Sequence, residues 1–560
     1  MKCNWTIPLA ATVVVCAALW LSGCASWGPR IRDGQAVAGA IGHVVNLSQG
    51  WTRQEQERFY FTSQGSQLIP YDWFLALEQA ESTNLFRADA NMDRLRWLPA
   101  RPTALNRDGL PVGFAKDIDA TTRQEWVGLN CAACHTSQIQ YRELSLRIEG
   151  GPAMADVQRF LTELGDALVH TLGSPQKFDR FAHRVLRGRY DETRAKELRL
   201  EMRSVRRYIV QRVERNASPQ AYGFARLDAF GNILNEILAY GLKVPENQQP
   251  PDAPVSYPFL WDTAQSDVVQ WNGSVANAPS GIGPLSRNVG EVLGVFGKLD
   301  ITPDHVPLGY AASVNLINLG KLEKWAADLW SPTWPRQTLP PIDEAKAAKG
   351  RVHYMNLCVD CHKSIDRADP NRRVAARMVP IGEIGTDPTM ATNFFYRTGK
   401  TGRLQGTPEG VFLGDDFGPN APAGIILRNV GIGVIVRHPG EAFIGVLEDH
   451  LKVGKSPPFD LRSYKARPLN GIWATAPYLH NGSVPNLWQL LQPPNSRVQE
   501  FFVGSREFDP ANVGFDTGSF PGGFKFDTRL PGNSNAGHDY GTANLNDAQK
   551  WELIEYIKSL

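Results

Sequence analysis

Cys131-Ala-Ala-Cys134-His135 and Cys358-Val-Asp-Cys361-His362 are two copies of one five-residue pattern. Each copy places two thiols and an imidazole on a single tight segment. Covalent haem attachment needs that set: two thiols form thioethers with the vinyl groups, and the imidazole binds the iron axially. The rival uses of such cysteines are a zinc site and a dithiol redox pair. A four-cysteine zinc site would leave both histidines unused, and a redox pair has no need of a following histidine twice. The pattern therefore predicts two covalently bound haem c groups, held through Cys131, Cys134, Cys358 and Cys361, with His135 and His362 as proximal iron ligands. The remaining cysteines, Cys3, Cys16 and Cys24, lie in or at the end of the N-terminal segment, so no disulfide is expected in the mature chain.

That N-terminal segment carries its own information. Met1-Lys2 supplies a positive charge, Ile7 to Leu21 is mostly apolar and uncharged, and Leu21-Ser22-Gly23-Cys24 follows. A charge, a short apolar run and small residues before a cut make an export signal, and the run is short for a span of ~20 residues. The ending resembles a bacterial lipoprotein signal. The resemblance implies removal of residues 1–23, acylation of Cys24 as a lipid anchor to the membrane, and, with Ala25 rather than Asp next, an outer-membrane lipoprotein facing the periplasm or the cell surface. Export suits haem c, which is attached outside the cytoplasm.

The chain has 560 residues, 42% of them hydrophobic, enough for a sizeable core and more than one domain. Lys and Arg total 59 against 57 for Asp and Glu, which gives no electrostatic case for nucleic acid as a partner. Gly 51 and Pro 39 point to many turns and long irregular connections. The Pro-rich stretch from Ser331 to Pro341 sets a boundary. Residues 24–116 read as an N-terminal wrapping segment, 117–335 as a first haem domain and 336–560 as a second. A haem c module needs only about 100 residues, so the first half must hold a large insertion. Its pattern is helical: Val157, Phe160, Leu161 and Leu164 share one face, and the densely charged Glu192 to Arg215 reads as a solvated helix. In the second half, Ile342 to Met355 reads as a helix leading to Cys358, with Asp343 near its N-cap. Asn546 and Gln549 form a capping box before Trp551, Ile554 and Ile557. Gly350 and Tyr354 on the first helix, crossing this last one, are similar to the cytochrome c domain. The expected fold is mainly α: two cytochrome c-like haem domains with a large helical insertion, an irregular N-terminal wrap and few strands.

A wider resemblance rests on particular stretches. Lys465-Ala-Arg-Pro-Leu-Asn-Gly-Ile-Trp-Ala-Thr-Ala-Pro-Tyr-Leu-His480-Asn-Gly-Ser-Val-Pro-Asn-Leu487 resembles the segment before the last helix in bacterial di-haem cytochrome c peroxidases. Gln67-Leu-Ile-Pro-Tyr-Asp-Trp-Phe-Leu-Ala-Leu-Glu78, Asp108-Gly-Leu-Pro-Val-Gly-Phe114, Trp271-Asn-Gly-Ser274 and Pro284-Leu-Ser-Arg-Asn-Val-Gly-Glu-Val-Leu-Gly-Val-Phe296 look more like the di-haem rubber oxygenase group of that superfamily. The superfamily implies a Trp between the haems, and Trp271 matches it. It also implies a sixth ligand on the second haem. The peroxidases place a Met for this shortly after the His-Asn-Gly stretch, but here that place reads Leu490-Leu-Gln-Pro-Pro-Asn-Ser496. Asn535-Ala-Gly-His538-Asp-Tyr-Gly541 offers a late histidine instead, as in the rubber oxygenases. His538 is therefore the expected ligand and His480 its rival. The other histidines (43, 170, 183, 305, 353, 438 and 450) read as surface or core residues.

The sequence yields no sixth ligand for the first haem and no polar group to place over it. The resulting expectation is an exported di-haem oxidoreductase. Its open first haem meets peroxide or dioxygen, and its low-spin second haem stores or relays electrons. Its other partner is an unidentified substrate, an apolar one included, or a redox protein. A stretch such as Leu293-Gly-Val-Phe296 would suit an apolar pocket. The alternative is a non-enzymatic di-haem electron carrier at the outer membrane, with both irons six-coordinate.

Overall fold

The computed structural model describes residues 28–277, 282–302, 309–448 and 459–560. The signal segment and the anchor expected at Cys24 lie outside the described residues, as do His305 and His450. No described helix is long and apolar enough to cross a membrane.

The fold corrects the expectation of a mainly α chain. It is mixed, 39% helical and 16% strand, so strands make up a real part of the scaffold. They are short and pair in small sheets of two or three strands. The first Cys-x-x-Cys-His motif runs directly into one: Thr136–Tyr141 pairs antiparallel with Leu144–Glu149, which is joined in parallel by Val44–Asn46. Alternate residues Ile139, Leu146 and Ile148 point into the core and are fully buried. A second sheet, Ile69–Pro70, Glu125–Leu129 and Phe114–Ile118, backs the same motif. Residues of the N-terminal stretch are therefore structural: Trp51, Phe59, Phe74, Trp97 and Phe114 are all essentially inaccessible.

The inserted region is helical, as read. Val157–Gly173 buries Val157, Phe160 and Leu164, with Leu161 half-exposed. Glu192–Arg215 starts at Asp191, whose side chain accepts from the Arg194 backbone N–H. It turns a narrow stripe of Leu198, Met202 and Ile209 inward and leaves most of its charge in solvent. A π-helical run, Asn235–Gly241, ends this region.

In the second half, Glu344–Leu357 is capped by Asp343, which accepts from the Lys346 N–H, and Asp547–Lys558 carries the Asn546/Gln549 capping box. The two helices cross at Gly350. A Cβ there would stand 1.9 Å from the Glu552 carbonyl oxygen, so only glycine permits the approach. Tyr354, fully buried, packs its ring 5.1 Å from Tyr556. Gly350→Ala is expected to force the helices apart at a cost of about 3 kcal/mol, the upper end for overpacking. Calorimetry checks this, and an unchanged melting temperature contradicts it.

Candidate functional site

Both motif histidines are held by the same device, a backbone carbonyl on Nδ1. Cys131–Cys134 forms one helical turn, begun by Asn130, whose side-chain oxygen accepts from the Ala132 N–H. The Asn130 amide donates to the carbonyls of Phe59, Tyr60 and Thr62, which ties the turn to the end of the Arg53–Phe61 helix. Gly113 at φ +82° passes so close that a Cβ would lie 2.1 Å from the Ala133 nitrogen. His135 then sets Nδ1 2.7 Å from the Pro258 carbonyl, and His362 sets Nδ1 2.6 Å from the Arg467 carbonyl. A carbonyl only accepts, so Nδ1 carries the proton and the Nε2 lone pair is left for a metal. Burial pushes His135 down to about 4 and lowers His362, so both rings are neutral, the ligating form, at pH 7.

Each motif faces a cavity. The second, about 460 Å³, is lined by Cys358, Cys361, His362, His480 and His538. The first, about 200 Å³, is lined by Cys131, Cys134, His135, Gln270 and Glu291. Ser256, Tyr257, Pro258, Trp271, Lys465 and Arg467 line both and form a partition between them. The partition tests whether the residues suit haem. Lys465 is buried with its ammonium on the Val268 carbonyl, and buried Arg467 donates to the carbonyls of Phe259 and Trp261. Neither makes an ion pair with a carboxylate among the described residues. Burial lowers both, Arg467 to about 10. Asp267 and Asp262 act on them without a direct ion pair; buried cations not directly paired are costly, and a cofactor with carboxylate arms would supply the missing partner. The donor set and the charge both fit haem. Trp271 is half-buried in this partition, its indole N–H on the Ser256 carbonyl at 3.0 Å and its ring centre 6.5 Å from that of His480.

The structure brings His538 to His362: their ring centres are 6.1 Å apart, with 44° between planes. An imidazole nitrogen sits about 2 Å from its metal, so two rings on opposite faces of one ion have centres roughly 6 Å apart. The loop is fixed around His538. Its N–H donates to Ile384 at 2.8 Å, and Arg497 holds the carbonyls of Asn535 and Gly537 at 2.6 and 2.9 Å. Burial, helped by His362 and Arg497, pushes His538 down to about 4. His480 is placed differently. It stacks on Tyr464 at 4.0 Å, and its carbonyl accepts from the Ser256 N–H. Other described histidines sit elsewhere: His353 beside Glu552, His170 beside Glu81, His438 beside Glu441, and His183 stacked on Tyr190.

Two groups over the first cavity were missed by sequence reasoning. The Gln270 amide donates to Glu291 Oε1 at 3.0 Å. Burial raises the Glu291 carboxyl; Arg287 lowers it, and Glu323 raises it further. Arg287 itself donates to Glu323 at 2.6 Å. His135 is the one imidazole lining this cavity among the described residues, and no methionine lines it. Glu291 stood in the quoted stretch 284–296, but nothing local told that this helix face meets the motif. Of Leu293 to Phe296, Gly294 and Val295 line the cavity.

A family model described as RoxA-like, cytochrome c-like, matches residues 463–502, the stretch that contains Lys465, Arg467 and His480. A cytochrome c-like domain of this kind points to covalently bound haem c and to haem-based oxidoreductase chemistry. An uncharacterized protein y4iJ of Sinorhizobium fredii is 31% identical over 615 residues, covering 99% of each chain. An uncharacterized protein y4iM of the same organism is 26% identical over 333 residues, 55% of this chain and 66% of that one.

Proposed function

The chain belongs to the y4iJ family, and from that premise we propose that it is an exported di-haem c oxidoreductase with one open and one closed iron. The observation that carries the reading is the asymmetry of the two cavities: paired imidazoles at the second, and a single imidazole facing a carboxyl–amide pair at the first. A haem held by His135 would supply an iron able to bind dioxygen or peroxide, and one held by His362 and His538 would supply a one-electron store.

The chain's own groups have distinct tasks. Cys131, Cys134, Cys358 and Cys361 anchor the two groups. Glu291 holds and moves a proton over the first site, and the Gln270 amide fixes its Oε1, leaving Oε2 to work. The upward push on its carboxyl favours the protonated form, which suits a proton donor. Phe230, Ile233 and Val269 give this cavity apolar walls that exclude water. Lys465 and Arg467 hold carboxylate arms in the partition, and Trp271 stands between the two sites as the electron path. The lipid anchor at Cys24 places the enzyme at the outer membrane, facing the periplasm or the cell surface.

Glu291→Gln tests the reading. Peroxide-driven oxidation of a phenolic dye is expected to fall by about 10²-fold, the scale of one general acid–base group. Carbon monoxide uptake by the reduced first haem should be unchanged. Full activity in the variant would remove Glu291 from the chemistry.

A further inference from the structure

The first cavity is not closed on itself. It shares Cys134, Leu227, Asn232, Gly294 and Val295 with a neighbouring cavity of about 520 Å³. Gly294 ends the Ile282–Gly294 helix that carries Glu291 and Val295 follows it, so the junction lies about one helical turn along the chain from Glu291. From there the passage runs outward. Leu161 and Val213 flank it half-buried, while Arg159, Thr162 and Gly522 are exposed at its rim.

One wall comes from the other half of the chain. Phe524–Asp527 pairs antiparallel with Glu500–Val503. This strand pair belongs to the Gly- and Phe-rich stretch between His480 and His538, and none of its residues lines either motif's cavity. It is docked on the first half: Arg506 pairs with Asp93, and Arg96 donates to the Gly504 carbonyl. Phe524 lies flat on Gly223, where a Cβ would come within 2.2 Å of its ring. The ring is held by backbone packing and lines the passage.

Dioxygen and peroxide need no corridor of this size. A space of about 520 Å³ falls in the range of sites for organic molecules, and its flanks are mostly hydrocarbon behind a polar rim. We propose that the passage admits an apolar organic substrate to the first site, and that Phe524 sets the size limit of what enters. The proposal rests on the reading that the first haem is open.

Association of carbon monoxide, methyl isocyanide and tert-butyl isocyanide with the fully reduced, haem-loaded protein tests it, followed in the Soret band by stopped flow. Phe524→Ala is expected to speed tert-butyl isocyanide about tenfold, a barrier change of about 1.4 kcal/mol, with carbon monoxide unchanged. Leu161→Trp, on a different element of the wall, is expected to slow both isocyanides about tenfold. If carbon monoxide binds but neither variant alters the isocyanide rates, the passage is not the route, and the open-haem reading stands. If the wild-type protein takes up none of the three ligands, the open-haem reading falls and the route falls with it.

Discussion

Replacing Cys358 and Cys361 together by alanine is expected to leave one covalent haem per chain where the wild type carries two. Replacing Cys131 and Cys134 is expected to remove the other one. The two losses are not equivalent. Without Cys358 and Cys361 only His362 and His538 would remain to hold a second haem, and the cavity they line measures about 460 Å³. An empty site of that size leaves Lys465, Arg467 and the apolar residues on its wall without the packing a bound group would give them. A chain with neither haem is therefore expected not to hold its native fold. The Cys131/Cys134 variant should instead fold around the second site and lose carbon monoxide binding. Intact mass and pyridine haemochrome titration count the groups directly. Two haems surviving in either double variant, or one haem in the wild type, would contradict the assignment.

His538→Ala carries the second large effect. With its ring centre 6.1 Å from that of His362, His538 is the residue proposed to hold the second haem together with His362. Removing it would open one face of that haem. The reduced protein is then expected to bind two carbon monoxide molecules per chain rather than one, while the thioethers keep both haems in place. His480→Ala is expected to leave the count at one, because that ring is committed to its stack on Tyr464. The reverse pattern, with His480 opening the site and His538 silent, would exchange their roles.

How much could be read in advance followed how local each feature was. The second motif is flanked by two helices with explicit end signals. Asp343, Gly350, Tyr354 and the Asn546/Gln549 box were therefore legible. His538 stood out because Gly537 and Gly541 flank it in a stretch without a Met. The expectation of a mainly α chain with few strands fails around the first motif, which is followed by a hairpin that takes its third strand from Val44–Asn46, some hundred residues earlier. No local period announces such a partner. Gln270 and Glu291 come from separate segments and meet only over the cavity. Lys465 and Arg467 stand in the quoted stretch 465–487, but nothing local told that both are buried in the partition between two cavities. Phe524 belongs to a hairpin whose docking partner lies in the opposite half.

On the reading proposed above, one iron is open and the other closed. A low-temperature electron paramagnetic resonance spectrum of the oxidised protein, with haem quantified beside it, tests this most directly. The account predicts one high-spin and one low-spin ferric signal in equal amounts. Two low-spin signals, in the resting and half-reduced states alike, would contradict it and leave a di-haem electron carrier.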